Sequence, residues 1–200
     1  YRPSLTVASD GSGIYALELF TVRVASDGHA DVSAAIPIPG SEYVQVVENL
    51  EWGNNLWISA SVDDGYSFGG WTCAGATPSN LLPYNSNGQT VTLLGPVTFT
   101  AHATPNTYRI AFDANEGSGA MATLEAVYDQ AQTLPANAFA RPGYSFAGWN
   151  TAADGTGDAY ADGAEVANLA SENGAAVTLY AQWEPLPYEV VFYPNGADAG

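Results

Sequence analysis

The stretch GYSFGGW, from Gly65 to Trp71, returns 78 residues later as GYSFAGW, from Gly143 to Trp149. A seven-residue phrase written twice with one change marks a duplicated structural unit, and it limits the possible folds more than any compositional figure does. Two further phrases recur at an offset of 80. PVTFTAHATP (Pro96–Pro105) comes back as AVTLYAQWEP (Ala176–Pro185), and YRIAFDANEG (Tyr108–Gly117) as YEVVFYPNGA (Tyr188–Ala197). The phrases divide the chain into the end of a preceding segment (1–18), a divergent copy (19–106), a full copy (107–187) and the start of another (188–200). LFTVRVASDG (Leu19–Gly28) reads as the opening strand of the first copy. It lies ten residues too far upstream of GYSFGGW, which implies an insertion within Ala30–Tyr43. The sequence is thus expected to be a window on a longer protein, any export or anchoring signal lying outside it.

Within a unit the hydrophobic period is two. Val177, Leu179, Ala181 and Trp183 alternate with Thr178, Tyr180 and Gln182, and Val97, Phe99, Ala101 and Ala103 alternate with Thr98, Thr100 and His102. Such alternation describes strands with one buried face. Arg109–Phe112 and Leu56–Val62 read the same way. Glycine next to Asp, Asn or Glu at Gly65, Gly117, Gly155, Gly163 and Gly174 punctuates the turns. A short helix is expected over Ala164–Asn173, where Val166, Leu169 and Ala170 would share a face and Gly174 would end it. The joints Thr104–Thr107 and Glu184–Pro187 contain proline and should be stiff.

The repeated phrase itself is best suited to a core. Tyr144 and Phe146 fall on one side of an extended segment, and Gly148 permits a bulge that changes the phase before Trp149. Each copy then delivers three rings, Tyr66, Phe68 and Trp71 or Tyr144, Phe146 and Trp149, joined in the second copy by Leu179 and Trp183. Burial of each ring contributes on the order of 2–3 kcal/mol. The competing reading is an aromatic platform for sugar rings, which would need several of Trp52, Trp57, Tyr84 or Tyr160 exposed in one plane.

The charge excludes some partners. Twenty-one acidic residues face four arginines and no lysine, a formal net charge of -17. That field repels phosphate backbones and anionic lipid surfaces, so no nucleic-acid partner is expected. No apolar run reaches the roughly 18 residues that span a bilayer, so no membrane insertion is expected in this segment. Cys73 is the one cysteine, which rules out an internal disulfide and a four-thiolate zinc site, and no basic neighbour lowers its thiol. Of the two histidines, His29 falls in a turn and His102 on an outward strand face, neither placed as a catalytic base. Asp154, Asp158 and Asp162 superficially resemble a calcium loop, but Ala159 stands where an EF-hand needs glycine, and acidic hairpin turns are the simpler reading. Neither enzyme activity nor a cofactor or metal is expected. Arg2 and Arg141 precede proline, leaving Arg23 and Arg109 as ordinary tryptic sites. Arg109 sits inside a predicted strand, so trimming is expected near Arg23, if anywhere.

Residues 108–183, with YRIAFDANEGSGAM, RPGYSFAGWNTAADGTGDAYADG and LYAQW, resemble the Listeria/Bacteroides repeat, the B-repeat module of internalin B and of many bacterial surface proteins. Residues 20–105, with SVDDGYSFGGW and VTFTAHATP, resemble a divergent form of it, and 188–200 resemble the start of another. The resemblance implies an α+β, mostly β fold of small ubiquitin-like β-grasp modules in tandem. It also implies a non-catalytic stalk or spacer on a secreted or cell-surface protein, extracellular or at the cell wall, with possible adhesion to a host or matrix protein or a glycan.

Overall fold

The computed structural model describes residues 19–36, 44–76, 78 and 86–191. The expectations for residues 1–18, for Tyr84, for 37–43 of the insertion and for 192–200 lie outside them. The chain divides into two compact units at Thr107/Tyr108.

The first unit holds β1 (Phe20–Ser26), β2 (Ala30–Ala35), β3 (Val46–Leu50), β4 (Asn55–Val62), β5 (Tyr66–Gly75), β6 (Gly88–Thr92) and β7 (Val97–Pro105). They form a four-stranded sheet in the order β3-β1-β7-β5 and a three-stranded sheet in the order β2-β4-β6. Strand β1 runs parallel to β7 and antiparallel to β3, and β5 runs antiparallel to β7. Alternation puts Val22 and Val24, Val97 and Phe99, and Leu56 and Ile58 into one core shared by both sheets. The intervening Thr98, Thr100 and His102 remain partly exposed on the other face.

The second unit holds β8 (Thr107–Asp113), β9 (Leu124–Val127), β10 (Gln132–Thr133), β11 (Tyr144–Asn150), β12 (Ala159–Tyr160), β13 (Glu165–Val166) and β14 (Ala176–Pro185). Its main sheet has the order β12-β11-β14-β8-β9, with β8 and β14 parallel in the middle. The small pair β10-β13 places Leu134 and Val166 in the core with Tyr108, Ile110, Trp149 and Leu179.

The strands β5-β7-β1 of the first main sheet and β11-β14-β8 of the second share an order and a register. Trp71 stands opposite Ala101 and Trp149 opposite Ala181, while Gly70 pairs His102 as Gly148 pairs Gln182. On the parallel side Val22 meets Val97, and Ile110 meets Val177. In both units a bulge interrupts the antiparallel pair, between Phe68 and Gly70 and between Phe146 and Gly148. Gly70 and Gly148 have φ of 118° and 140°, which favours glycine over any residue with a Cβ.

No helix occurs among the described residues, so the α+β expectation is corrected to an all-β architecture. The helix expected over Ala164–Asn173 is instead extended. Glu165–Val166 pairs antiparallel with Gln132–Thr133. Asn168 takes φ of 56° and is held there by Asp129, whose N–H donates to the Asn168 Oδ1 (2.6 Å) and whose carboxylate accepts from the amide nitrogen (2.7 Å). Val166, Leu169 and Ala170 do pack on the core. Three apolar positions fit either period, and the left-handed asparagine decides against the helix.

Arg23 and Arg109 both lie in inner strands. Arg23 is paired with Val46 on one side and Thr98 on the other, and Arg109 lies in β8 between β14 and β9. A protease needs an extended, unpaired backbone, so cleavage at either requires unfolding. The expectation of trimming near Arg23 is therefore replaced. Native trypsin should leave the chain uncut at both arginines over a time in which the heat-unfolded chain is fully cleaved, as read by intact mass. Rapid native cleavage after Arg23 would contradict the pairing of β1.

Candidate functional site

The bulged strand gives each unit an inner aromatic face and an outer polar one. On the inner face of the second unit the Trp149 indole lies 4.9 Å from the Phe112 and Phe146 rings and 6.0 Å from Phe139, and Phe146 lies 5.7 Å from Trp183. Trp149, Trp71 and Leu179 are buried. Phe68, Phe146 and Trp183 are half-buried and packed against the cores. Tyr144 departs from its expected place. It is 36% exposed, with the Arg141 guanidinium 4.0 Å above its ring, and Arg141 is also paired with Glu116. Tyr66 is likewise not enclosed: it stacks on His29 at 4.1 Å. The first ring of each phrase sits at the strand end, where the sheet no longer covers it.

The indole nitrogens differ in an informative way. Trp71 Nε1 donates to the Ser86 carbonyl (3.0 Å) and Trp183 Nε1 to the Ala114 carbonyl (2.9 Å), whereas Trp149 Nε1 is buried without a hydrogen-bond partner. An unmet buried donor costs about 1–3 kcal/mol. Trp149→Phe should therefore cost less than Trp71→Phe, which strands the Ser86 carbonyl, by about 1 kcal/mol in denaturant midpoints. Equal losses would show that Trp149 Nε1 has a partner in solution.

On the outer face of the second unit, Asn150 organises the loop 151–158. It is only 3% exposed. Its Oδ1 accepts from Ala152 N (2.8 Å) and Gly157 N (3.0 Å), and its Nδ2 donates to the Gly155 (3.2 Å) and Gly157 (3.1 Å) carbonyls. Asn115, with φ of 45°, donates to the carbonyls of Ala153 (2.8 Å) and Ala181 (2.9 Å), tying the loop to β14. Asp154 accepts from the Thr156 hydroxyl (2.7 Å) and N–H (3.1 Å), and these bonds hold its carboxyl below the ordinary value. Of the residues that suggested a calcium loop, Asp154 is thus taken by Thr156 and Asp162 accepts from the Asn137 N–H (2.9 Å), and the Gly155 and Gly157 oxygens are bonded to Asn150. Among the described residues no group of three or more acidic, His or Cys side chains could hold a metal. Beside the loop lies an open cleft of about 390 Å³, lined by Gly148, Asn150, Tyr160 and Gln182 among others. Burial, and secondarily the charge of Asp158, push the Tyr160 phenol up, which keeps it protonated.

The first unit fills the corresponding outer positions differently. Register places Thr72 at the position of Asn150, His102 at that of Gln182 and Asp27 at that of Asn115. Thr72 Oγ1 lies 2.8 Å from His102 Nε2, and His102 Nδ1 lies 3.2 Å from Asp27 Oδ2. Asp27 also accepts from Ala103 N. His102 is outward, as its strand position implies, yet it stands between a hydroxyl and a carboxylate. The sequence signal for this row is positional: Thr72 follows GGW as Asn150 follows AGW. His29 forms a second, looser cluster with the Tyr66 hydroxyl (3.3 Å) and Asp63 (3.7 Å).

The rings considered for a sugar platform are dispersed. Trp52 is 67% exposed on a turn, the Trp57 ring lies where a Cβ on Gly88 would meet it at 2.8 Å, and Tyr160 belongs to the other unit. Cys73 is half-buried against the first core.

These features define a class: all-β units, each with two parallel strands at the centre of its main sheet and a glycine-bulged aromatic strand beside them. Residues 108–182 match the Listeria-Bacteroides repeat domain, and that stretch of the chain belongs to this family. The chain is also 34% identical over 146 residues to a protein of Evansella cellulosilytica that bears the name of a Gly-rich membrane protein, a match covering 66% of this chain and 15% of the relative. A second protein of that organism, named as a membrane protein, is 31% identical over 157 residues, covering 76% of this chain and 22% of the relative. The chain spans less than a quarter of the length of either relative. No helix among the described residues is long and apolar enough to cross a membrane.

Proposed function

We propose that this chain is a non-catalytic tandem-repeat region of a bacterial surface or secreted protein, serving as a stalk and spacer and presenting a repeated surface for adhesion to a host or matrix protein or a glycan. The observation that carries this reading is the repetition itself: one order of three strands, one register and one bulge occur twice, with Asn106 alone between β7 and β8. A chain that repeats a fold at so short a spacing gains length and multivalent contact, because weak sites on linked units multiply into avidity. The names of the two relatives and the repeat family of residues 108–182 support a surface or membrane-associated setting. We read residues 19–106 as a divergent copy of that repeat. Both units are read as β-grasp-type sheets, first and last strands parallel at the centre, in which extended segments take the place of the helix.

Antibodies raised against residues 108–182 test the placement. They should label intact cells that carry the full-length protein, and mild protease shaving should remove the label. Labelling only after lysis would contradict the surface reading. On a glycan array, a signal from the 200-residue chain that Trp52→Ala abolishes would transfer the function from the repeated surface to an aromatic platform.

A further inference from the structure

The row Thr72–His102–Asp27 has a defined proton order. A carboxylate only accepts hydrogen bonds, so the His102 nitrogen facing Asp27, Nδ1, carries the proton. In the neutral ring Nε2 is then an acceptor, and the hydroxyl 2.8 Å from it must be the donor. This is the proton order of a hydroxyl nucleophile with a histidine base and an orienting carboxylate. The three residues come from three adjoining stretches, β5, β7 and the turn after β1, so the sheet register fixes their spacing. Thr72 is exposed, and with Trp71 turned into the core the next position on its own face toward the bulge is Gly70, which has no side chain to cover the hydroxyl. The second unit, with Asn115, Asn150 and Gln182 at the same positions, uses them to hold a loop through the carbonyls of Ala153, Gly155 and Ala152. Loop support therefore does not require this chemistry.

The geometry points to Thr72 as a covalent acceptor for activated acyl groups, with His102 as its general base and Asp27 as a positioning residue that fixes the His102 tautomer. The Thr72 oxygen attacks the carbonyl carbon of an activated ester while its proton passes to His102 Nε2. The bond from that carbon to the leaving oxygen breaks, the leaving oxygen takes the proton from Nε2, and the acyl group remains on Thr72 as an ester. No redox partner or metal is needed. The exposed site selects for reactivity and small size rather than for the shape of an acyl chain. One acylation per chain is a modification rather than turnover, and it goes beyond the stalk reading without depending on it.

The test uses the intact 200-residue chain with p-nitrophenyl acetate as the probe. One acetyl group per chain is expected by intact mass, mapped to Thr72 by peptide sequencing. Thr72→Val and His102→Gln, the latter placing the glutamine found at the equivalent position of the second unit, should each slow acetylation at least ~100-fold. Asp27→Asn should slow it at least ~10-fold. It should also move the His102 ring nitrogen signals in a ¹⁵N–¹H spectrum away from the single Nδ1–H tautomer, a change that loss of packing alone would not produce. Thermal midpoints of the variants verify that they fold, and the mapping in the unsubstituted chain needs no variant. Acetyl groups on Cys73 or the tyrosines with Thr72 bare, or equal rates in Thr72→Val and the unsubstituted chain, would overturn the proposal.

Discussion

Replacing Trp149 by alanine should remove about 3–5 kcal/mol, a large share of the stability of the second unit. The indole is 1% exposed and packs against the rings of Phe112, Phe139 and Phe146, so removing it opens a cavity that Phe112 and Phe146, fixed in β8 and β11, cannot fill without leaving their strands. Truncation of a buried Trp costs about 3–5 kcal/mol. At roughly 0.05–0.15 kcal/mol per residue, a unit of this size has only about 4–12 kcal/mol in total. The measurement is the denaturant midpoint followed by amide exchange in β8, β11 and β14. A variant that retains protection in those strands would mean that the indole is not the centre of the core.

Asn150→Ala should release the loop 151–158. The side chain makes four hydrogen bonds to backbone groups of Ala152, Gly155 and Gly157. Alanine leaves all four without that partner, and the part that water cannot reach is stranded. With each buried unmet group worth about 1–3 kcal/mol and water reaching some of them, the expected loss is about 2–4 kcal/mol. Rapid exchange confined to 151–158 and to β12 should accompany it. Because Asn150, rather than a cation, holds the loop, a chelator should leave the midpoint of the unsubstituted chain unchanged. A large drop on chelation would restore the calcium reading of Asp154, Asp158 and Asp162.

The inner faces were legible in the sequence and the outer faces were not, for a physical reason. Burial of alternate apolar residues leaves a period of two, so β4, β7, β8 and β14 could be placed from Leu56, Phe99, Ile110 and Leu179. The bulge at Gly148 was legible because a glycine between two rings allows a backbone conformation that a Cβ disfavours, and Gly70 repeats it in the first unit. Hydrogen-bond networks leave no such period. Asn150 and Asn115 look like ordinary turn residues until register brings them to one loop, and Thr72, His102 and Asp27 meet only because parallel and antiparallel pairing place them side by side. The helix expected at Ala164–Asn173 failed for a related reason: a few apolar residues do not separate a period of 3.6 from an extended run, and the left-handed Asn168 that settles it is visible only with its partner Asp129. The placement of Tyr66 and Tyr144 needed the strand ends, which no local pattern reports.

That one repeat plan is present twice is tested most directly by residue-resolved amide exchange on the intact chain. Equal strand order and register require the inner strands β1 and β7 of the first unit to be protected together, as β8 and β14 are in the second, with slow amides at Val22 and Val24 as at Ile110 and Phe112. Protection of 107–113 and 176–185 alongside exchange at unfolded rates in 20–26 would contradict the account, because the first unit would then lack the parallel pair on which the shared plan depends.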